Sequence, residues 1–266
     1  MHLPANGLKA DLAAGRVMTG LWLALANGYT AELLGHCNFD WLLIDGEHGP
    51  NDLRSILQQL QALKGSQSHV IVRPPVGDVA LIKQLLDIGT TSLLIPMVES
   101  GEQAQKLVQA VRYPPNGIRG VGASIARASN FGLIGNYMQA ADQEICLMLQ
   151  IENRAGLAAL DAIAATEGVD AVFIGPADLS ADMGFPGQPF APEVQAAIED
   201  AIIRIRKHGK AAGVYMTDET YARRYIELGA SFIAIGSDVT LLVEGGKRLK
   251  ARYSGEAAAP QTPGSY

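Results

Sequence analysis

The chain has 266 residues, 48% hydrophobic and 18% charged, with a net charge of -6. That is enough apolar material for one large core, and Lys and Arg nowhere cluster, which argues against nucleic acid and anionic membrane as partners. No stretch reaches the ~20 unbroken apolar residues of a transmembrane helix, the first residues lack a basic flank and apolar run, and two cysteines without a CxxC are no disulfide framework, so the expectation is a cytoplasmic protein.

In chain order, the first short apolar run is Met18–Leu23. No GxGxxG follows it, which counts against a dinucleotide-binding fold. The second run, Trp41–Ile44, leads into Asp45-Gly46-Glu47-His48. Asn51–Leu63 then places Leu53, Ile56, Leu57 and Leu60 at helical spacing. The third run, Val70–Val72, ends on Arg73-Pro74-Pro75, and Asp78–Asp87 is helical through Val79, Ile82, Leu85 and Leu86. The fourth run is Ser92–Ile95. A long connection follows, holding Gly117-Ile118-Arg119-Gly120-Val121-Gly122. It does not match GxxxxGK[ST] and reads as a turn in a mobile lid loop.

The fifth run, Ile145–Ile151, holds Cys146 as a buried core thiol and ends Gln150-Ile151-Glu152. The sixth, Ala171–Ile174, opens into Gly175-Pro176-Ala177-Asp178. Pro192–His208 is helical, and the seventh and eighth runs are Ala211–Met216 and Ser231–Ile235. Gly89, Gly209 and Gly229 stand where helices stop before strands, because glycine accepts positive φ. Unbroken apolar runs suit strands buried on both faces. Eight strand–helix units in this length predict one α/β domain, a (β/α)8 TIM barrel over residues 1–253, with a flexible tail over 254–266.

In such a barrel the active site lies at the C-terminal ends of the strands. There Asp45, Glu47, His48, Arg73, Gln150, Glu152 and Asp178 collect on one rim. Glu152 and Asp178 end neighbouring strands, and a carboxylate pair without a His/Cys cluster suits a hard cation, Mg²⁺ or Mn²⁺. The alternative is two unrelated rim charges, or ion pairs to Arg154 or Arg127. His48 is the one histidine on that rim and a candidate general base. Arg73 ends an apolar strand, where a guanidinium requires an anion: a 2-oxo acid, its enolate, or Asp45. None of the eight lysines falls on the rim, so a Schiff-base route lacks its nucleophile.

The segments Trp41–His48, Arg112-Tyr113-Pro114-Pro115, Gly117–Gly122, Gln150-Ile151-Glu152 and Val172–Ser180 resemble the HpcH/HpaI aldolase family, over Gly15 to Arg252. The resemblance implies a barrel of the phosphoenolpyruvate/pyruvate superfamily type and a class II, metal-dependent pyruvate aldolase. Such an enzyme cleaves a 4-hydroxy-2-oxo acid, such as 4-hydroxy-2-oxoheptanedioate, to pyruvate and an aldehyde. It makes His48 the proton acceptor, Asp87 the group that raises its basicity, and Arg73 the transition-state stabiliser. Glu152 and Asp178 become the metal ligands for Mg²⁺ or Mn²⁺, with Co²⁺ or Zn²⁺ as alternatives. Gln150, Ala177 through its backbone, Asp178 and Arg73 become substrate contacts, with Asp45 and Glu47 supporting them. It also implies a hexamer, a trimer of dimers, with the last helix, Val239–Arg252, exchanged between subunits and Asp87 able to arrive from a neighbour. A 2-keto-3-deoxy sugar acid aldolase, an oxaloacetate decarboxylase on the same site, and a non-catalytic barrel that binds a small acid stay open. The exit of the seventh strand, Val214–Asp218, departs from the family pattern on the acceptor side.

Overall fold

The computed structural model describes residues 2–254. Eight parallel strands close into a barrel in sequence order. They are β1 (Met18–Leu23), β2 (Trp41–Asp45), β3 (His69–Arg73) and β4 (Ser92–Ile95). The second half is β5 (Cys146–Ile151), β6 (Ala171–Ile174), β7 (Ala211–Tyr215) and β8 (Ala230–Ser237), and β8 pairs back to β1. Each apolar run is therefore a strand. The differences lie at the ends, where polar residues such as His69, Asp45 and Arg73 continue the ladder beyond the apolar stretch.

Alternation along each strand explains why the runs are apolar on both faces over most of their length. Trp41 and Leu43 point into the barrel with Met18, Trp22, Ile71, Leu94, Met148, Phe173 and Phe232. Leu42 and Ile44 point outward and pack beneath the helices with Val72, Leu93, Leu149, Val172 and Val214. Both faces of the sheet are buried, so neither set can be polar. Inside, Trp41 stacks on Phe232 with ring centroids 4.2 Å apart. Trp41 fits because its neighbour in register is Gly20, where a Cβ would sit 2.0 Å from the indole.

Helices at Leu53–Ala62, Val79–Asp87 and Pro192–Lys207 match the expected segments. Gly89, Gly209 and Gly229 take φ of 102°, 73° and 106° after their helices. Before β1, a helix at Gly7–Ala13 turns Leu8 and Leu12 into the barrel interior and closes the N-terminal end of the strands. The long connection after β4 contains the helix Gly101–Val111 and an arm with its own small core of Tyr113, Ala123, Ile134, Tyr137 and Ala141. That arm corrects the expectation of a mobile lid at 117–122. Arg119 is fully buried there, and Ile118 and Arg119 donate backbone bonds to Gln109 and Arg112. The chain's last described helix is Asp238–Ser254, longer than the expected 239–252. Ser254 therefore belongs to this helix, and the rest of the expected tail lies outside the described residues.

Candidate active site

The C-terminal ends of β2 and β3 set one wall of the site. Asp45 and Arg73 are partners in register, and both are buried. Arg73 Nε and Nη2 each donate to one Asp45 carboxylate oxygen at 2.8 Å. Its remaining nitrogen, Nη1, lies 2.6 Å from Glu47 Oε2, close but off hydrogen-bond geometry. The guanidinium face rests on the Trp22 ring, 4.1 Å from its centroid. Arg73 is therefore fixed on its edges by carboxylates and on one face by an indole. A bidentate, stacked arginine of this kind offers little rotational freedom and a fixed positive centre.

His48 follows in the turn after β2. Its side chain is 66% exposed, with Nε2 3.8 Å from Glu47 Oε2. Burial pushes the Glu47 carboxyl above its ordinary range; Arg73 draws it back, and Glu152 pushes it further up.

The second wall comes from β5 and β6. Gln150 and Glu152 face the same side, as their spacing of two requires, and Gln150 Nε2 donates to Glu152 Oε2. The other Glu152 oxygen accepts the backbone N–H of Met97 at 2.9 Å. Met97 holds a φ of 55°, a left-handed conformation that non-glycine residues rarely adopt. Gly175 opens this corner, since a Cβ there would lie 2.6 Å from Glu152 Oε2. Pro176–Asp182 then forms a short helix with Ala177 and Asp178 exposed in its first turn, so Asp178 stands on a helix rather than on the strand end itself. Burial pushes the Glu152 carboxyl up, its two hydrogen bonds pull it down, and the Asp178 charge raises it again.

The alternative partners are taken elsewhere. Arg154 pairs with Asp182 at 3.1 Å, and Arg127 donates to the Ile88 carbonyl. Asp45, Glu47 and Glu152 thus gather around one guanidinium, with Asp178 beside Glu152, and both glutamates are pushed up chiefly by burial. Among the described residues no cluster of three or more His, Cys, Asp or Glu is arranged to hold a metal ion. The available donor set is the pair Glu152 and Asp178, with the buried Gln150 Oε1 unpartnered beside them. A buried carboxylate pushed up by burial and by the Asp178 charge, next to an acceptor oxygen with no donor, fits a hard cation that fills its shell with water and ligand.

Asp87 is not brought to this rim by its own chain. It ends the helix Val79–Asp87, pairs with Arg119 at 2.8 Å, and lines a separate cleft with Leu57, Gln61, Gly122 and Phe131. Three contributors escape the sequence reading. Trp22 lies inside an apolar run and reads as core, although the end of β1 is a rim position. The Met97 N–H belongs to the backbone and carries no residue-type signal. Arg119 sits among glycines and reads as part of a turn in a lid loop. The lysines, by contrast, fall as expected. Lys210 Nζ donates to the Val169 carbonyl and Lys9 pairs with Asp170, both at the opposite end of the barrel.

Comparison with known proteins gives the family of the chain. The HpcH/HpaI aldolase/citrate lyase family pattern matches residues 18–245. A hydroxypyruvate/pyruvate aldolase of Pseudomonas aeruginosa is 58% identical over 265 residues, covering 100% of this chain and 99% of that protein. A 4-hydroxy-2-oxo-heptane-1,7-dioate aldolase of Escherichia coli is 53% identical over 261 residues, covering 98% and 99%. The crystal structure of a family member from Burkholderia cenocepacia superposes with a TM-score of 0.90 at 35% identity, covering 93% of this chain and 99% of that one. The chain belongs to the HpcH/HpaI aldolase/citrate lyase family and is a carbon–carbon lyase.

Proposed function

We propose that this enzyme is a class II pyruvate aldolase, reversibly cleaving a 4-hydroxy-2-oxo acid to pyruvate and an aldehyde. The observation that carries the reading is the Glu152–Asp178 pair, opened by Gly175 and facing the clamped guanidinium of Arg73. Glu152 and Asp178 would hold Mg²⁺ or Mn²⁺, which when bound supplies a Lewis acid for the oxygens of the 2-oxo acid. Arg73 presents fixed positive charge where the breaking bond leaves an enolate oxygen, and preorganised charge is where such a site gains most of its rate. Gln150, the Ala177 backbone and Asp178 orient the 2-oxo acid. His48, exposed at the mouth, accepts the proton of the 4-hydroxyl in cleavage.

The relatives' names supply two donor classes, pyruvate and hydroxypyruvate, and a dicarboxylic substrate for one of them. The reading extends to a cytoplasmic hexamer, a trimer of dimers, with Asp87 reaching His48 from a neighbouring subunit. Two features support it. His48 is open to solvent, and the helix Asp238–Ser254 leaves Leu241, Leu242, Leu249 and Tyr253 exposed, an apolar face suited to another subunit.

The test is metal removal. Chelation should abolish release of pyruvate from 4-hydroxy-2-oxoheptanedioate, and Mg²⁺ or Mn²⁺ should restore it, with Co²⁺ or Zn²⁺ as substitutes. Full activity in the chelated enzyme overturns the metal route. Sedimentation as a monomer overturns the assembly.

A further inference from the structure

We propose that Arg119 is a positioning residue for the reaction: it holds the Asp87 carboxylate by one oxygen and aims the other outward, toward the site of a neighbouring subunit. This rests on the reading above, in which Asp87 acts on His48 across the assembly.

Three observations carry it, and the first two run against stability. First, Arg119 is 0% exposed, yet its Nε and Nη1 have no hydrogen-bond partner among the described residues. Nη2 donates to Asp87 Oδ1 at 2.8 Å and lies 3.5 Å from the Tyr137 hydroxyl. Buried ion pairs are commonly no more stabilising than the apolar residues that could replace them, and orphan donors make this one costlier. Second, Asp87 is the last residue of the helix Val79–Asp87, where the partial negative charge of the helix end opposes a carboxylate. Third, the Arg119 guanidinium lies 4.4 Å from the centroid of the Tyr113 ring and 5.8 Å from that of Tyr137. Those rings belong to the arm's own core, which makes the arm a rigid mount.

The mounted carboxylate is presented rather than enclosed. Asp87 keeps 27% of its side chain exposed and lines a cleft of about 380 Å³ whose rim includes Ile125 and Phe131, 82% and 64% exposed. Gly122 lines the same cleft beside Oδ2, where a Cβ would stand 3.6 Å from that oxygen, in ordinary contact with it. The charged and titratable groups around Asp87 are Arg119, Tyr113 and Tyr137 from the arm, Lys83 on its own helix beside Gly120, and Arg127 on the same cleft. Of these Arg119 forms the ion pair with Asp87, at 2.8 Å, and a planar fork fixes a carboxylate's direction where an ammonium would not.

The experiment compares Asp87→Asn, Arg119→Lys and the double variant in the assembled, metal-loaded enzyme, with sedimentation and Tm recorded at assay temperature. Asp87→Asn should lower kcat about tenfold or more and move the acid limb of the pH profile down, because the imidazolium loses its carboxylate. Arg119→Lys should lower kcat by a similar factor and shift the limb the same way, with KM for the 2-oxo acid nearly unchanged. The double variant should be no slower than Asp87→Asn. Asp87→Asn at the wild-type rate overturns the function assigned to Asp87 itself. Asp87→Asn slow while Arg119→Lys is unaffected, or losses that multiply in the double variant, overturn the positioning role and leave Asp87 standing. If Arg119→Lys does not assemble, Tyr137→Phe removes only the hydroxyl beside Nη2. A small downward shift of the acid limb then supports the proposal, and a wild-type profile overturns it.

Discussion

The two ends of this barrel are built from the same residue types and treat charge in opposite ways. At the N-terminal end, charges come in matched pairs. Lys9 meets Asp170, His69 meets Asp11, and Arg16 bridges Asp11 and Asp40. Asn6 caps its helix and also ties Thr91, Ser92 and Glu144 together. At the C-terminal end, Arg73 meets both Asp45 and Glu47, Glu152 feels the charges of Arg73 and Asp178 together, and burial drives both glutamates toward the protonated form. The matched end closes the fold. The unmatched end keeps carboxylate charge that the protein's own groups do not neutralise, and a ligand or cation is what would relieve it.

Replacing the cation at the unmatched end should have the largest effect. Arg73→Met removes the positive charge that Asp45, Glu47 and Glu152 surround and leaves the buried Asp45 without its bidentate partner. Activity should fall by about 10² to 10³, the range for loss of a preorganised charge at the reacting oxygen. Stability should fall as well, by about 3–5 kcal/mol, because an uncompensated buried carboxylate remains. Steady-state kinetics and urea unfolding check the two parts. Wild-type kcat/KM in this variant would make the C-terminal end another structural cluster and dissolve the contrast.

The same contrast explains what the sequence could reveal. All eight strands were legible because both faces are buried, so the runs are apolar at most positions, without a polar face, as in Trp41-Leu42-Leu43-Ile44. The strand ends were less so, because Asp45, His69 and Arg73 stay in the ladder while breaking the apolar pattern. The rim residues were legible because charge directly after an apolar run is unusual and needs a reason. What stayed hidden depends on long-range packing or on the backbone. Trp22 reads as core until Arg73 is found lying on it. The Met97 N–H leaves no mark in a side chain. Arg119 is buried by Tyr113 and Tyr137, and nothing in Gly-Ile-Arg-Gly announces those rings. Asp87 came from family resemblance alone, since this chain does not carry it to His48.

At the matched end the expected effects are on stability. Leu8 is fully buried and projects from the N-terminal helix into the barrel interior. Leu8→Ala should cost about 2–5 kcal/mol, the range for a buried leucine that leaves a cavity. Turnover at a temperature where the variant stays folded should be unchanged, because the substitution touches none of the rim residues. A loss of kcat at unchanged fold would mean that the two ends are coupled through the interior.

The smallest effect sharpens the comparison most, because it reads the sealed interior directly. Cys146 opens β5 at the closed end and is 0% exposed, whereas Cys37 is exposed. Burial, reinforced by Asp170 and opposed by Lys9, pushes the Cys146 thiol well above its ordinary 9.0. Only the thiolate attacks a disulfide reagent. The native enzyme should therefore yield one thiol to such a reagent and the urea-unfolded chain two. The sign of the pH dependence follows from the same shift. Below pH 9 both folded and unfolded chains hold the proton, so the thiol contributes no difference. As pH rises beyond 9 the unfolded chain ionises first and is favoured, so stability falls. In Cys146→Ala the alkaline decline of Tm should be shallower than in the wild type. Two thiols reacting in the native enzyme would show that the N-terminal helix opens on the timescale of the assay. The closed end would then be sealed by equilibrium only, and the contrast between the ends would be one of charge and not of access.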